Sequence, residues 1–128
     1  MILIIITCFL TYFNALWGQF VSDDQSGLVT PFSWQNPQSI VRNIEFHFWG
    51  ANPFPYHLTS LILHIFACML LYKVMKIFFK PIPSLIGTLF FCVLPVHTED
   101  VSWISGDGYL YIAIITFSMM LLYKRGTE

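Results

Sequence analysis

The chain has 128 residues, of which 56% are hydrophobic, 18% aromatic and 10% charged, whereas soluble domains carry about 25% charged residues. This composition excludes an ordinary soluble domain and a disordered segment. The formal net charge of -1 provides no basic surface for nucleic acid.

Four apolar stretches predict an all-α membrane protein. They are residues 2–20, 56–79, 82–96 and 109–123. The first stretch has no charged residue and is long enough to cross about 30 Å of hydrocarbon. A cleaved secretory signal is the alternative, but a basic segment after Met1 and a small-residue cleavage site before Gly18 are both missing. We therefore predict a retained helix.

The second stretch is the clearest candidate span, and Lys73 and Lys76 lie at its end, where their ammonium groups can reach the polar interface. The third and fourth stretches each correspond to roughly 22 Å of helix at about 1.5 Å per residue, which is short for a full crossing. Pro81 and Pro83 predict the turn between the second and third stretches, because proline does not continue a helix interior.

The positions of the charged residues predict the orientation of the helices. Five cations lie at the end of the second or the fourth stretch or just after it, namely Lys73, Lys76, Lys80, Lys124 and Arg125. These ends are predicted to be cytoplasmic, so residues 18–55 and 97–108 form outer loops. All acidic residues except Glu128 lie in those loops, where Arg42 is the single cation. Residues 1–128 are predicted to form one transmembrane region without a separate soluble domain.

Residues 39–49 of the first outer loop mix aromatic and aliphatic side chains with charged ones. This mixture fits a short helix that lies along the membrane interface. It fits an irregular aromatic loop packed on the helix tops equally well, because the spacing of the apolar residues is imperfect. The sequence leaves both alternatives open.

Polar groups that are distant in sequence meet at the predicted outer ends of the helices. They are Asp23, Asp24, His57, His97, Glu99, Asp100 and Asp107. Such a cluster can supply a general base or the ligands of a metal ion. The alternative is a set of acidic side chains that are merely solvated in outer loops.

Two further patterns lie within the apolar stretches. One helix face of the second stretch carries His57, Ser60, His64 and Cys68, so we predict that this face turns toward protein. We interpret His64 as a packing residue rather than a ligand. The cysteines Cys8, Cys68 and Cys92 form neither a disulfide framework nor a paired-cysteine zinc motif, and we interpret them as small hydrophobic residues.

Three segments resemble a known family. Residues 48–53 read FWGANP and residues 56–64 read YHLTSLILH, which is similar to the family pattern WG-x-NP followed by YHL-x-N-x-LLH. Residues 94–106 read LPVHTEDVSWISG, which is similar to HPVHTE-x-V-x-WISGR. The family comprises multipass glycosyltransferases of the GT-C type that are related to the transmembrane and tetratricopeptide-repeat-containing (TMTC) protein O-mannosyltransferases.

The resemblance implies a membrane enzyme that transfers a sugar from a polyprenyl-phosphate donor, typically dolichyl-phosphate mannose, to a protein serine or threonine hydroxyl. It implies the endoplasmic reticulum membrane in a eukaryote or the inner membrane in a bacterium. Asp23 or Asp24 would be the catalytic base. Donor and acceptor binding would fall to Arg42, His57, His97, Glu99 and Asp107. A divalent cation and further membrane subunits are open alternatives, and the acceptor is a protein or a glycan.

The sequence departs from the family pattern at three positions. Leu94 replaces a histidine, Ser60 replaces an asparagine, and Asp107 replaces an arginine that would suit a phosphate. We also expect the chain to be the N-terminal part of a larger enzyme, because the family has more helices and tetratricopeptide repeats.

Two further hypotheses remain. The first is a non-catalytic membrane protein or partner subunit that keeps the family scaffold. The second, a small transporter, depends only on His64 and Cys68.

Overall fold

A computed structural model describes residues 1–21, 24 and 38–127, and all regular secondary structure in this part is helical. The α-helices are α1 (Ile2–Tyr12), α2 (Gln38–Trp49), α3 (Pro53–Phe78), α4 (Pro81–Val93), α5 (His97–Ser102) and α6 (Gly108–Gly126). Two 3-10 helices, Phe13–Trp17 and Ile104–Asp107, continue α1 and precede α6. The predicted all-α class is confirmed.

The longest helix, α3, is the centre of the bundle and packs against α1, α4, α5 and α6. It begins with Pro53 in the first turn, where proline removes no helical hydrogen bond. The Asn52 side chain caps this end by accepting a hydrogen bond from the backbone N–H of Phe54 at 3.2 Å. Because α3 ends at Phe78 and α4 begins at Pro81, the predicted proline turn is confirmed.

The first helix is shorter than the predicted stretch 2–20. Its α-helical part ends at Tyr12, and the chain then tightens into the 3-10 helix as far as Trp17. The Tyr12 hydroxyl donates a hydrogen bond to the Leu94 carbonyl oxygen at 3.0 Å, which fixes this end against α4. Apolar composition predicts where a segment is buried in protein or lipid, but it does not distinguish an α-helix from a 3-10 continuation.

The third helix is also shorter than predicted, since α4 ends at Val93 rather than at residue 96. Leu94 adopts an extended conformation with ψ 130°. The reason is local, because a residue that precedes proline is disfavoured in the helical region and Pro95 follows Leu94.

Two helical segments in the described part are long and apolar enough to cross a membrane, Pro53–Phe78 and Ile104–Gly126. The segments Ile2–Trp17 and Pro81–Val93 are apolar but shorter. Two candidate spans are therefore established by length and composition, and the predicted arrangement of four crossings remains a prediction.

Helix α2 resolves the alternatives for residues 39–49 in favour of a helix. Its polarity is inverted, because the charged Arg42 and Glu45 are buried whereas the apolar Ile40, Ile44 and Phe48 are exposed. The three apolar residues are spaced by four and therefore form one outward stripe. An outward apolar stripe suits contact with lipid better than contact with water, so a position along the membrane interface remains our interpretation.

The second outer loop, predicted at residues 97–108, is also helical, with α5 followed by the 3-10 helix Ile104–Asp107. Gly106 allows these two elements to approach closely. A Cβ atom at this position would lie 2.9 Å from the Glu99 carbonyl oxygen. The backbone therefore turns tightly here and points Ser105 and Asp107 toward the first outer segment, where the candidate site lies.

Candidate functional site

Asp24 is a buried carboxylate held by the protein from two directions. It is 1% exposed. Its Oδ2 accepts a hydrogen bond from the Val21 backbone N–H at 2.9 Å. Its Oδ1 accepts from the Ser105 backbone N–H at 3.0 Å and from the Ser105 hydroxyl at 2.9 Å. The carboxylate therefore joins the segment after α1 to the turn before α6, across 81 positions of the chain.

A buried ion pair lies on the same turn. Arg42 Nη2 of α2 is 3.0 Å from Asp107 Oδ1, and the two side chains are 10% and 4% exposed. The same guanidinium nitrogen donates a hydrogen bond to the Ile104 carbonyl oxygen. Arg42, the single cation predicted in the outer loops, therefore pairs with Asp107. This aspartate stands at the position where the family pattern has an arginine.

Glu45 lies one helical turn after Arg42 and is also buried. Its Oε2 has no hydrogen-bond partner among the described residues. Burial raises the pKa of the Glu45 carboxyl above its ordinary value, Arg42 opposes this shift, and Asp107 adds to it. Glu45 was not among the predicted site residues, because a glutamate in an interfacial helix is usually solvated.

His57 is fully buried near the start of α3, beneath Gly18. Neither of its ring nitrogens has a hydrogen-bond partner within the described part of the chain. The other members of the predicted polar stripe, Ser60, His64 and Cys68, are buried as well. This confirms that the stripe faces protein.

We predict that Gly18→Ala destabilises the protein by about 1–3 kcal/mol, the usual cost of overpacking a close contact. The new Cβ atom would lie 2.9 Å from His57 Nε2 and 3.0 Å from the Ala15 carbonyl oxygen. The control is Gly126→Ala, whose Cβ atom meets nothing within 4 Å. Unfolding of detergent-solubilised protein by increasing SDS, followed by circular dichroism, measures both variants. Equal midpoints would contradict the close contact.

His97 belongs to a second polar group, separate in its contacts from Asp24. Its Nδ1 is 3.2 Å from Asp100 Oδ2. Its ring centroid is 4.3 Å from that of Phe91 and 5.1 Å from that of His64. His64 also packs against Phe91 and His97, which agrees with our interpretation of His64 as a packing residue. His97 therefore belongs to the same group of packed rings.

Glu99 is exposed and lines a cavity of about 650 Å³ beside α5. Trp103, which lines the same cavity, has an indole N–H without a partner among the described residues. Val21 also lines it, and the backbone N–H of Val21 is bonded to Asp24. Val21 therefore contacts both this cavity and the buried Asp24 carboxylate.

The predicted cluster is therefore divided. Asp24 is bonded to Ser105, and Arg42 is paired with Asp107, so these two contacts lie on the same turn, Ile104–Asp107. His97 with Asp100, His57 beneath Gly18, and Glu99 at the cavity occupy three further places. Asp23 lies outside the described residues.

Metal ligands within the described ranges converge in one place only, and it is not the acidic site. The ligand atoms of Cys8, Cys68 and Cys92 lie within 4.8 Å of one another, and no described set of three that includes a carboxylate does so. The oxygens of Asp24 already accept three protein hydrogen bonds. The described part of the acidic site therefore contains no ready-made set of three ligands for a divalent cation.

The chain is similar to curated protein O-mannosyl-transferases. It shares 28% identity with protein O-mannosyl-transferase TMTC3 of Homo sapiens over 142 positions, which cover 89% of this chain and 16% of that protein. Mouse protein O-mannosyl-transferase TMTC1 gives 28% over 118 positions, 90% of this chain and 12% of that protein. The chain is a distant homologue of the TMTC protein O-mannosyl-transferases.

The similarity spans nearly the whole chain but only a small part of each relative. The protein O-mannosyl-transferase tmtc2 of Xenopus laevis matches at 27% identity, over 89% of this chain and 13% of its own length. No protein-family profile matches the chain, and no solved structure matches it significantly. The expected resemblance to TMTC transferases is confirmed, and the activity of these longer proteins comes to this chain only as a proposal.

Besides Glu45, two further features of the structure were absent from the sequence prediction. Ser105, which binds Asp24 through both its backbone N–H and its hydroxyl, lies inside the recognised WISG motif, so the motif was the available signal. The cluster of three cysteines had no such signal, because its members come from α1, α3 and α4 with no short spacing between them.

Proposed function

We propose that this chain forms part of a membrane glycosyltransferase that moves a sugar from a polyprenyl-phosphate donor, such as dolichyl-phosphate mannose, to a protein serine or threonine hydroxyl. The observation that carries the proposal is the homology to protein O-mannosyl-transferases over 89% of the chain. We propose the non-cytoplasmic face as the side of reaction, in the endoplasmic reticulum membrane of a eukaryote or the inner membrane of a bacterium.

The chemistry asks for a carboxylate at the acceptor. A serine or threonine hydroxyl is a weak nucleophile, so a base must accept its proton as the oxygen attacks the anomeric carbon of the donor sugar. The bond from that carbon to the lipid phosphate breaks at the same time, and the phosphate leaves as an anion. Asp23 and Asp24 are the adjacent carboxylates that we assign to this part of the site.

The contacts of Asp24 favour a division of roles within this pair. Three hydrogen bonds from Val21 and Ser105 hold Asp24 in place, so its oxygens are engaged by the protein rather than presented to an acceptor. We therefore assign Asp24 as a positioning residue that fixes the segment, and Asp23 as the base. The cavity at Glu99, which Val21 also lines, is our candidate for the sugar or the acceptor side chain.

We assign supporting roles, rather than a part in the chemical step, to the remaining predicted residues. His97 packs on Phe91 and is held by Asp100, so we propose that it shapes the site. His57, buried beneath Gly18, supports the same segment from below. Arg42 and Asp107 would have to separate before the guanidinium could bind a donor phosphate.

The test is sugar transfer by the full chain reconstituted in proteoliposomes, with radiolabelled dolichyl-phosphate mannose and a serine- and threonine-rich peptide. We predict that Asp23→Asn lowers transfer by about 10²- to 10⁴-fold, the usual contribution of a general base. Transfer at the wild-type rate by both Asp23→Asn and Asp24→Asn would refute the assignment of the acid pair. Glu128→Gln, the same chemical change at the last residue, is the matched control and keeps full transfer.

A non-catalytic partner subunit is the second candidate function, and the Arg42–Asp107 pair favours it. An aspartate stands here at the position where the family pattern has an arginine, and it neutralises the cation on α2 at 3.0 Å. This candidate predicts no transfer by the chain alone and specific co-purification with another membrane protein. Transfer that appears only when that partner is added, and that survives Asp23→Asn in this chain, would establish it.

A further inference from the structure

Three thiols from three different helices meet in the interior of the bundle, away from the acidic site. Cys8 of α1, Cys68 of α3 and Cys92 of α4 are each 0% exposed, and their sulfur atoms lie within 4.8 Å of one another. Ile4 completes the fully buried part of this cluster. The residues packed around it are Ile65, Met69, Tyr72, Leu85, Leu89 and Phe91.

The sulfur separations approach those of a metal–thiolate site. Thiolate sulfur binds metal at about 2.3 Å, which places three sulfurs in one plane around an ion at roughly 4.0 Å from one another. The three sulfurs, which lie within 4.8 Å of one another, would therefore have to move together by less than about 1 Å to enclose an ion. Side-chain rotation at three helices that already pack together can supply this movement.

We propose that Cys8, Cys68 and Cys92 form a binding site for a soft, thiophilic metal ion, and that the ion is Cu(I). Soft thiolate donors select Cu(I), zinc and iron–sulfur clusters. Structural zinc is almost always held by four ligands in a tetrahedron, whereas three sulfurs suit a trigonal Cu(I). The apolar surroundings exclude water as an additional ligand.

Among the described residues, His64 carries the imidazole nitrogen nearest to these sulfurs, and a fourth ligand of this kind would favour zinc. Its Nε2 is 3.6 Å from Cys68 Sγ and 3.4 Å from the Cys92 carbonyl oxygen. The ring is also held between aromatic neighbours, with its centroid 5.1 Å from that of Tyr12 and 6.5 Å from that of Phe91. Among the described residues, the potential ligand atoms that lie within 4.8 Å of one another are the three sulfurs and no imidazole nitrogen, so we assign His64 to the outer shell of the site.

Cu(I) binding is tested on the full chain in detergent, reduced and kept without oxygen, by competition with the chromophoric Cu(I) chelator bathocuproine disulfonate. We expect one Cu(I) per chain. Outer-shell changes at metal sites cost about 10- to 100-fold in affinity, so each of Cys8→Ser, Cys68→Ser and Cys92→Ser should cost at least that much. A reduced chain with three free thiols that takes no Cu(I) from the chelator would overturn the proposal.

Two control variants separate the thiols from the packing around them. Ala67→Ser changes a buried position next to Cys68 without removing a thiol, and Met69→Leu removes the thioether sulfur that packs on the cluster. Both should bind Cu(I) as the wild type does. Circular dichroism establishes that each cysteine variant is folded before its affinity is compared.

A measurement on the wild type alone covers the case in which the serine variants fail to fold. X-ray absorption at the copper edge should give three sulfur neighbours and no nitrogen or oxygen. A nitrogen neighbour that disappears in His64→Phe, or tighter binding of Zn(II) than of Cu(I), would overturn the three-sulfur assignment in favour of a zinc site. This site is independent of sugar transfer, so loss of copper and loss of transfer are separate results.

Discussion

Asp107→Asn is expected to lower the free energy of unfolding by about 3 kcal/mol, at the lower end of what breaking a buried ion pair costs. The variant leaves the Arg42 guanidinium in place with only 10% of its side chain exposed and removes the carboxylate 3.0 Å away. Glu45, on the same helix and also buried, offsets part of the loss, which is why we do not expect the upper end of the range. SDS-induced unfolding in mixed micelles, followed by circular dichroism, measures the change.

The control for this prediction is a double variant, Arg42→Met with Asp107→Leu. Replacing both partners of a buried pair by apolar residues is often neutral or stabilising, because both desolvation costs disappear together. We therefore expect the double variant to be more stable than Asp107→Asn. Glu99→Gln, an exposed acid in the neighbouring helix, should change stability by less than about 0.5 kcal/mol. If Asp107→Asn changed the free energy of unfolding as little as Glu99→Gln does, the result would contradict a stabilising ion pair.

The ion pair also bears on the choice between the two candidate functions. If Arg42 bound a donor phosphate, the phosphate would compete with Asp107 for the same guanidinium. Asp107→Asn should then strengthen donor binding while it weakens the fold. In a partner subunit the pair is only structural, and the same variant would affect stability alone.

Local features of the sequence predicted the turn after α3 and the buried face of α3. Proline at residues 81 and 83 located the turn, and the spacing of His57, Ser60, His64 and Cys68 predicted which face of α3 is buried. Both depend on residues within a few positions of one another. The helix ends were less predictable. At the end of α1 the chain changes to a 3-10 helix after Tyr12, whose hydroxyl bonds to Leu94, 82 positions away.

The sequence named residues for a candidate site, and their functional roles remain predictions. The positions of the acidic and histidine residues between the apolar stretches predicted that they gather at the outer helix ends, but not how they pair. The partner of each one depends on how α2 and the turn before α6 pack, so the pairing of Arg42 with Asp107 and of Asp24 with Ser105 came only from the structure. The three cysteines illustrate the same point, since each alone resembles a small core residue and only their convergence indicates a site.

Asp24→Ala is expected to destabilise the protein by about 3 kcal/mol or more. Hydrogen bonds to a charged group contribute roughly 1.5–3 kcal/mol each, and an unsatisfied buried donor costs about 1–3 kcal/mol. The variant leaves the Val21 N–H and both Ser105 donors without their acceptor. Asp24→Asn should cost less, about 2 kcal/mol, because the amide keeps one oxygen but turns its NH₂ toward a donor. The same SDS unfolding assay measures both.

Ser105→Ala is the companion variant, because it removes only the hydroxyl donor and keeps the backbone N–H. We expect a loss of about 1 kcal/mol and a double-mutant cycle with Asp24→Ala that departs from additivity, as residues in contact do. Strict additivity would contradict the contact. The result also decides how the transfer assay is interpreted. If Asp24→Asn loses stability and transfer together while Asp23→Asn loses transfer alone, Asp24 is the positioning residue and Asp23 the base. If Asp24→Asn stays fully stable and loses transfer, the roles are reversed.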